Sequence, residues 1–252
     1  MEKHRTLIKS NPSFYKETNS MFMLEVSEMF SGTIQGEGIN SGVPAVFLRL
    51  RHCTLSCRWC DTSSVWVVGN PYTFDELLGI MERVIEDLRK GAHLVLTGGS
   101  PLRQQKALKL FIDKFKEVHS FVPYIEVENE CTILPDPGFA GYVKCWNNSP
   151  KLENSGNITT FRYQPDVIKK TAQLPNSWFK FVITSTDDWK EIERDFLEQE
   201  LIKREQIILM PEGATREELE YNREMVMDLC IRENVRYSDR LHILLWNRKT
   251  GV

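Results

Sequence analysis

Strand-length apolar runs alternate with amphipathic helical stretches along most of this 252-residue chain, and that order restricts the fold more than any other feature. Val46 to Leu50, His93 to Leu96, Tyr124 to Val127, Tyr142 to Trp146, Trp178 to Ile183, Gln206 to Met210 and Leu241 to Trp246 read as strands. Between them, Thr73 to Lys90, Gln105 to Val118, Asp188 to Lys203 and Thr215 to Asn234 read as helices, the first with Thr73 as its cap and Glu76 three residues on. Parallel strands need long crossovers, and helices supply them, so the pattern predicts an α/β fold of about six βα units, a partial (β/α)6 barrel. Functional groups in such sheets gather where the strands end. No repeat and no Pro/Gly-rich linker divides the chain, and the loop Asn147 to Thr160 is the main irregular segment. One domain over 21–252 is expected, preceded by a flexible N-terminal extension, 1–20.

Composition narrows the partners. With 41% hydrophobic residues there is enough to build one core, yet no run is long enough to cross a bilayer, and the polar start of the chain does not read as a signal peptide. A soluble, cytoplasmic protein is expected, with no membrane partner. The net charge is −3 and basic residues are spread along the helical stretches, so no electrostatic footprint for nucleic acid exists and a small-molecule substrate is favoured. Of six cysteines, three crowd one loop and Cys131, Cys145 and Cys230 lie far apart, which suits a reducing compartment rather than a disulfide framework.

That loop, Arg51 to Thr62, follows the Val46 to Leu50 strand and carries Cys53, Cys57 and Cys60 in a C-x3-C-x2-C spacing. Three thiolates can hold three irons of a [4Fe–4S] cube and leave the fourth for a ligand that is not protein. A zinc site closed by His52 is the alternative, although structural zinc usually draws on two separated cysteine pairs and no second pair exists here.

The spacing, with Trp59 just before the third cysteine, resembles the radical S-adenosylmethionine (SAM) superfamily. The resemblance implies that the free iron takes the amino and carboxylate groups of SAM and that reductive cleavage gives a 5′-deoxyadenosyl radical. Further patches resemble one family within it, 7-carboxy-7-deazaguanine synthase: Met29 to Gly38 ahead of the cluster, with T-I-Q-G-E-G as its most specific part; Cys60-Asp61-Thr62; Thr97-Gly98-Gly99-Ser100-Pro101; Leu209 to Gly213; and Leu241 to Trp246. The implied reaction is the ring contraction of 6-carboxy-5,6,7,8-tetrahydropterin to 7-carboxy-7-deazaguanine with loss of ammonia, a carbon–nitrogen lyase step toward 7-deazapurines such as queuosine. The same resemblance implies a homodimer and a flavodoxin-like electron donor. Two other readings stand beside it, a radical SAM activating enzyme for a glycyl-radical protein and a zinc-stabilised module without catalysis.

Site residues follow from both sources. Thr33 to Gly38 reads as a glycine-rich turn that can approach a flat ring, and within it Ile34, Gln35, Gly36 and Glu37 are the substrate candidates, with an amide and a carboxylate for the edge of an aminopyrimidinone. An ordinary turn with a solvated Glu would look the same. Arg49 sits in an apolar strand, where a charge needs a partner: the substrate carboxylate, or a protein acid. Thr97, His242 and the carboxylate of Val252 complete the expected substrate contacts, although a lone His beside a strand is usually structural. For SAM, Trp59, Cys60, Asp61, Gly98, Gly99, Ser100, Ser149, Pro150 and Lys151 are the candidates, Lys151 being equally readable as a solvated loop lysine. Ser100 stands where the superfamily pattern G-G-E-P has glutamate, and a hydroxyl cannot balance an ammonium, so topology nominates Glu128, at the next strand end, for that contact. Thr62 matches a position where the resemblance implies a hydroxyl on Mg²⁺; by itself it reads as a cap or turn residue.

Overall fold

A computed structural model describes residues 5–11, 22–247, 249 and 251. Ten strands, among the described residues, join one open sheet: β1 (Arg5–Lys9), β2 (Met23–Ile34), β3 (Pro44–Leu50), β4 (Asn70–Thr73), β5 (His93–Gly98), β6 (Ile125–Asn129), β7 (Val143–Asn148), β8 (Ser177–Ile183), β9 (Ile207–Pro211) and β10 (Arg236–Tyr237). Their order is β1-β2-β3-β5-β6-β7-β8-β9-β10, with β4 added beside β2. Every pair from β3 onward is parallel, whereas β1, β3 and β4 run antiparallel to β2. The sheet does not close, which is the partial barrel expected from the alternation.

Alternation along β3 sets the layers. Val46, Leu48 and Leu50 face the helices and join Leu94, Leu96, Phe111 and Phe115 in the main core. Phe47 and Arg49 point the opposite way, into the concave side, where Phe47 stacks on Phe30 with ring centroids 4.9 Å apart. A second core of Phe179, Phe181, Trp189, Phe196 and Leu229 supports the last third of the sheet. Helix starts follow local chemistry: Thr73 and Thr215 both close capping boxes, with Glu76 and Glu218.

Several elements differ from the pattern reading. Leu241–Trp246 is a short helix, not a strand; the final parallel strand is the two-residue β10. A six-residue apolar run has too little periodicity to separate the two states. Residues 73–90 wind as two helices joined by a 3₁₀ turn, Glu82–Val84, and the helix from Asp188 passes into a π-turn over Glu193–Leu197. β2, the longest strand, lacks clean alternation because it is bulged twice against β3 and buried on both faces over much of its length. Arg5–Lys9, expected to be part of a flexible extension, forms the edge strand on β2.

Candidate active site

The cysteine loop leaves β3 through His52, whose φ of +69° turns the chain back over the sheet rim. The end of β5 lies directly against it. A Cβ on Gly98 would come within 2.2 Å of the Leu50 carbonyl, and one on Gly99 within 2.0 Å of the His52 carbonyl, so both positions require glycine for close backbone packing. Ser100 completes the clamp: its N–H donates to His52 O (2.7 Å), and its hydroxyl oxygen accepts from Thr54 N (2.9 Å). The serine that breaks the G-G-E-P pattern is thus fully buried and holds the loop.

Each of the three sulfurs accepts a hydrogen bond. Leu55 N (3.4 Å) and Ser100 Oγ (3.7 Å) donate to Cys53, Asn157 Nδ2 (3.2 Å) to Cys57, and Trp66 Nε1 (3.5 Å) to Cys60. Donors aimed at sulfur favour thiolates and tune a bound cluster. Burial pushes the Cys53 and Cys57 thiols up, with these donors acting against it. A zinc site fits less well. His52 turns its Nε2 to Glu25 (3.2 Å), and among the described residues no three His, Cys, Asp or Glu side chains converge on one ion.

All three cysteines line a cavity of about 550 Å³ at the C-terminal rim of the parallel strands, a size suited to small-molecule ligands. A charged cluster lines the same cavity. Glu37, 13% exposed at its side chain, accepts from Lys180 Nζ and from Arg240 Nε (2.8 Å), and Arg240 also pairs with Asp61. Burial alone would raise the Glu37 carboxyl, but Lys180 and Arg240 outweigh it and hold it well below the ordinary carboxylate range. Asp61 is lowered as well, its Arg240 partner overcoming desolvation. Desolvation pushes the His242 imidazole down from its ordinary value, against the pull of Glu37. A Cβ at Gly36 would overlap the His242 ring, which accounts for the glycine there.

A buried acid network backs this cluster. Glu126 accepts from Gln35 Nε2 (2.6 Å), Asn40 Nδ2 (2.8 Å) and Asn147 Nδ2, while His93 Nδ1 lies 3.1 Å from it. Gln35 is therefore committed through its amide nitrogen to the protein. Ile34, Gly36, Glu37 and Thr97 line the cavity with it. Glu128 accepts from Thr97 Oγ1 (2.7 Å) and, at 3.4 Å, from Gln35, which puts it beside the polar turn rather than the cysteines.

Arg49 does face the cavity, and its Nε donates to Glu28 Oε1 at 2.8 Å across the β2–β3 register. The partner that its apolar strand demanded is thus present in the protein. Lys151 Nζ donates to Ser149 Oγ (2.7 Å) and lies 5.5 Å from the centre of the Trp59 ring; all three residues line the cavity. Pro150 and Ser100 do not reach it. Thr62 lines it too, with Oγ1 3.8 Å from Cys60 Sγ. Val252 lies outside the described residues.

Residues 34–124 match a family model described as a 4Fe-4S single cluster domain. The chain is 34% identical over 231 residues to the 7-carboxy-7-deazaguanine synthase of Pyrobaculum aerophilum, covering 90% of this chain and 97% of that one. It belongs to the 7-carboxy-7-deazaguanine synthase family. The Halobacterium salinarum synthase is 30% identical over 242 residues, covering 89% and 91% of the two chains. In structure the chain resembles QueE from Escherichia coli, with a TM-score of 0.60 over 90% of this chain and all of that one; at 22% identity this speaks to the shared fold. A synthase of this family carries a [4Fe–4S] cluster and SAM, and the hydrogen-bonded cysteine loop is built to hold the cluster.

Lys180, Arg240, Glu126 and Glu130 also shape the synthase cavity or its support, and pattern reading did not single them out. Lys180 had a signal: it interrupts the apolar strand Trp178 to Ile183 as Arg49 interrupts β3. Glu126 and Glu128 alternate along β6 and Glu130 follows just past its end, a spacing of two that the sequence shows. Arg240 had none, since its acidic partners Glu37 and Asp61 are more than 170 residues away.

Proposed function

We propose that this chain is a 7-carboxy-7-deazaguanine synthase, contracting the ring of 6-carboxy-5,6,7,8-tetrahydropterin to 7-carboxy-7-deazaguanine with release of ammonia. The reading rests on one observation above all: a single cavity is lined both by the three cluster cysteines and by the polar turn Gln35 to Glu37. The conversion loses one ammonia and is otherwise redox-neutral, so SAM can be regenerated at each turnover.

Bound on Cys53, Cys57 and Cys60, the cluster supplies an electron for cleaving SAM. The chain's own residues bind, orient and exclude water. Trp59, Asp61, Gly98, Gly99 and Ser149 lie on the SAM side, with the Lys151 ammonium available to the SAM carboxylate. Ile34, Gly36, Glu37, Thr97 and His242 face the pterin, Glu37 as a fixed carboxylate acceptor for the N–H groups of the aminopyrimidinone edge. Arg49, already oriented by Glu28, offers its remaining guanidinium nitrogens to the substrate carboxylate. Thr62 would give one oxygen to Mg²⁺, whose other ligands would have to come from substrate and water. Val252 is assigned to the substrate end on resemblance. A flavodoxin-like donor, a homodimeric assembly and a cytoplasmic location complete the reading, and no helix among the described residues is long and apolar enough to span a membrane.

Titrating 6-carboxy-5,6,7,8-tetrahydropterin into cluster-loaded, SAM-saturated protein tests the assignment. One site per chain is expected, with a clear loss of affinity for the pterin lacking the carboxylate. Equal binding of both pterins would count against the Arg49 role, and no binding of either would remove the function.

A further inference from the structure

The acid that Ser100 lacks has a replacement, and it is not the one that topology nominates. Glu130 is 5% exposed and lines the cavity two residues beyond Glu128. Its Oε1 accepts from Thr132 Oγ1 (2.6 Å) and Thr54 Oγ1 (3.1 Å). Thr54 in turn lies 3.0 Å from the Ser100 hydroxyl and neighbours Cys53, so the Glu130 carboxylate occupies the neighbourhood that a longer acid at position 100 would otherwise reach. Its other oxygen, Oε2, is buried and has no hydrogen-bond partner among the described residues. A buried carboxylate oxygen without a donor carries a desolvation cost that a ligand can relieve.

A cation that lines the same cavity fits a zwitterion. Among the described residues the Lys151 ammonium forms no ion pair; it reaches only the neutral hydroxyl of Ser149 and the Trp59 ring. The cavity lining therefore includes one carboxylate oxygen without a donor and one cation without an ion pair among the described residues. An α-amino acid end group carries the complementary pair. Glu128, by contrast, has both oxygens engaged by Thr97 and Gln35.

We propose that Glu130 Oε2 accepts from the α-amino group of SAM, taking over in this chain the task of the absent glutamate at position 100. This rests on the synthase reading, which brings SAM to the cavity. Calorimetric titration of cluster-loaded protein with SAM, and with an analogue lacking the α-amino group, separates the two claims. The parent must bind SAM at all; if it does not, the synthase reading fails before Glu130 is tested. Glu130→Gln should bind SAM about tenfold or more weaker, a change of about 1.4 kcal/mol or more, yet bind the deaminated analogue as the parent does. Glu128→Gln should leave SAM affinity within a fewfold of the parent. Unchanged SAM affinity in Glu130→Gln, or an equal loss for both ligands, overturns the proposal. Should Glu130→Gln fail to load iron, Glu130→Asp, which keeps the charge but withdraws it by one methylene, decides by the same comparison, with a loss confined to SAM expected.

Discussion

Arg240 Nε donates to Glu37 Oε1 at 2.8 Å, joining side chains 203 positions apart in sequence and closing one wall of the cavity. The same guanidinium reaches Asp61 on the cysteine loop and the Gly213 carbonyl (2.5 Å). Removing one member of a largely buried charge pair leaves the other uncompensated, at a cost of about 3 to 5 kcal/mol. Arg240→Met should therefore lower the melting temperature of the cluster-loaded protein by roughly 6 to 20 °C for a chain of this size. A shift below a degree or two would show that the Arg240–Glu37–Asp61 network is not structurally important.

The depressed Glu37 carboxyl makes a signed pH prediction. Its folded value lies well below the ordinary 4.5, so in the window between them the unfolded chain binds the proton and the folded one does not. The contribution is complete above that window and is lost as pH falls through it. The gap in melting temperature between parent and Glu37→Gln should be widest above pH 5 and narrow progressively below about 4.5. Thermal unfolding followed by tryptophan fluorescence at a series of pH values measures it.

Arg49→Met keeps most of the stem's volume and removes the fork. Loss of a charge-assisted pair with the substrate carboxylate should weaken pterin binding by about 2 to 5 kcal/mol, with SAM affinity nearly intact. Because Glu28 loses its partner too, Glu28→Gln in the same background separates substrate contact from local repair: it should not restore pterin affinity.

Much of this site was legible before the fold was known, but by two different routes. The parallel sheet and its rim follow from alternation, because each crossover helix and each buried strand leaves a local trace, as Leu48 and Phe111 do. The cysteine loop declares itself by spacing. Its supports do not: Ser100, Asn157 and Trp66 donate to the sulfurs through contacts set only by the fold. The two glycines after Thr97 suggest close approach of a ligand, whereas the immediate need is the carbonyls of Leu50 and His52. Leu241–Trp246 reads as a strand since an apolar run that short has no decisive period, and β2 escapes notice because bulges erase its alternation.

Thr62 tests the metal. A lone hydroxyl is a weak ligand, so Mg²⁺ should bind poorly to the free protein and turnover should depend on added Mg²⁺. Thr62→Val, of similar shape, should reduce activity and shift that dependence to higher Mg²⁺ while the cluster's visible spectrum stays unchanged. Full activity with the same Mg²⁺ dependence would leave Thr62 as a turn residue.

The most direct measurement is turnover itself: anaerobically reconstituted protein incubated with 6-carboxy-5,6,7,8-tetrahydropterin, SAM, Mg²⁺ and a reductant, with product, ammonia and SAM all quantified. The synthase account predicts 7-carboxy-7-deazaguanine and ammonia in equal amounts, with many products formed per SAM consumed. An iron-replete protein that forms no 7-carboxy-7-deazaguanine while cleaving SAM, or that consumes one SAM for each product, would contradict it.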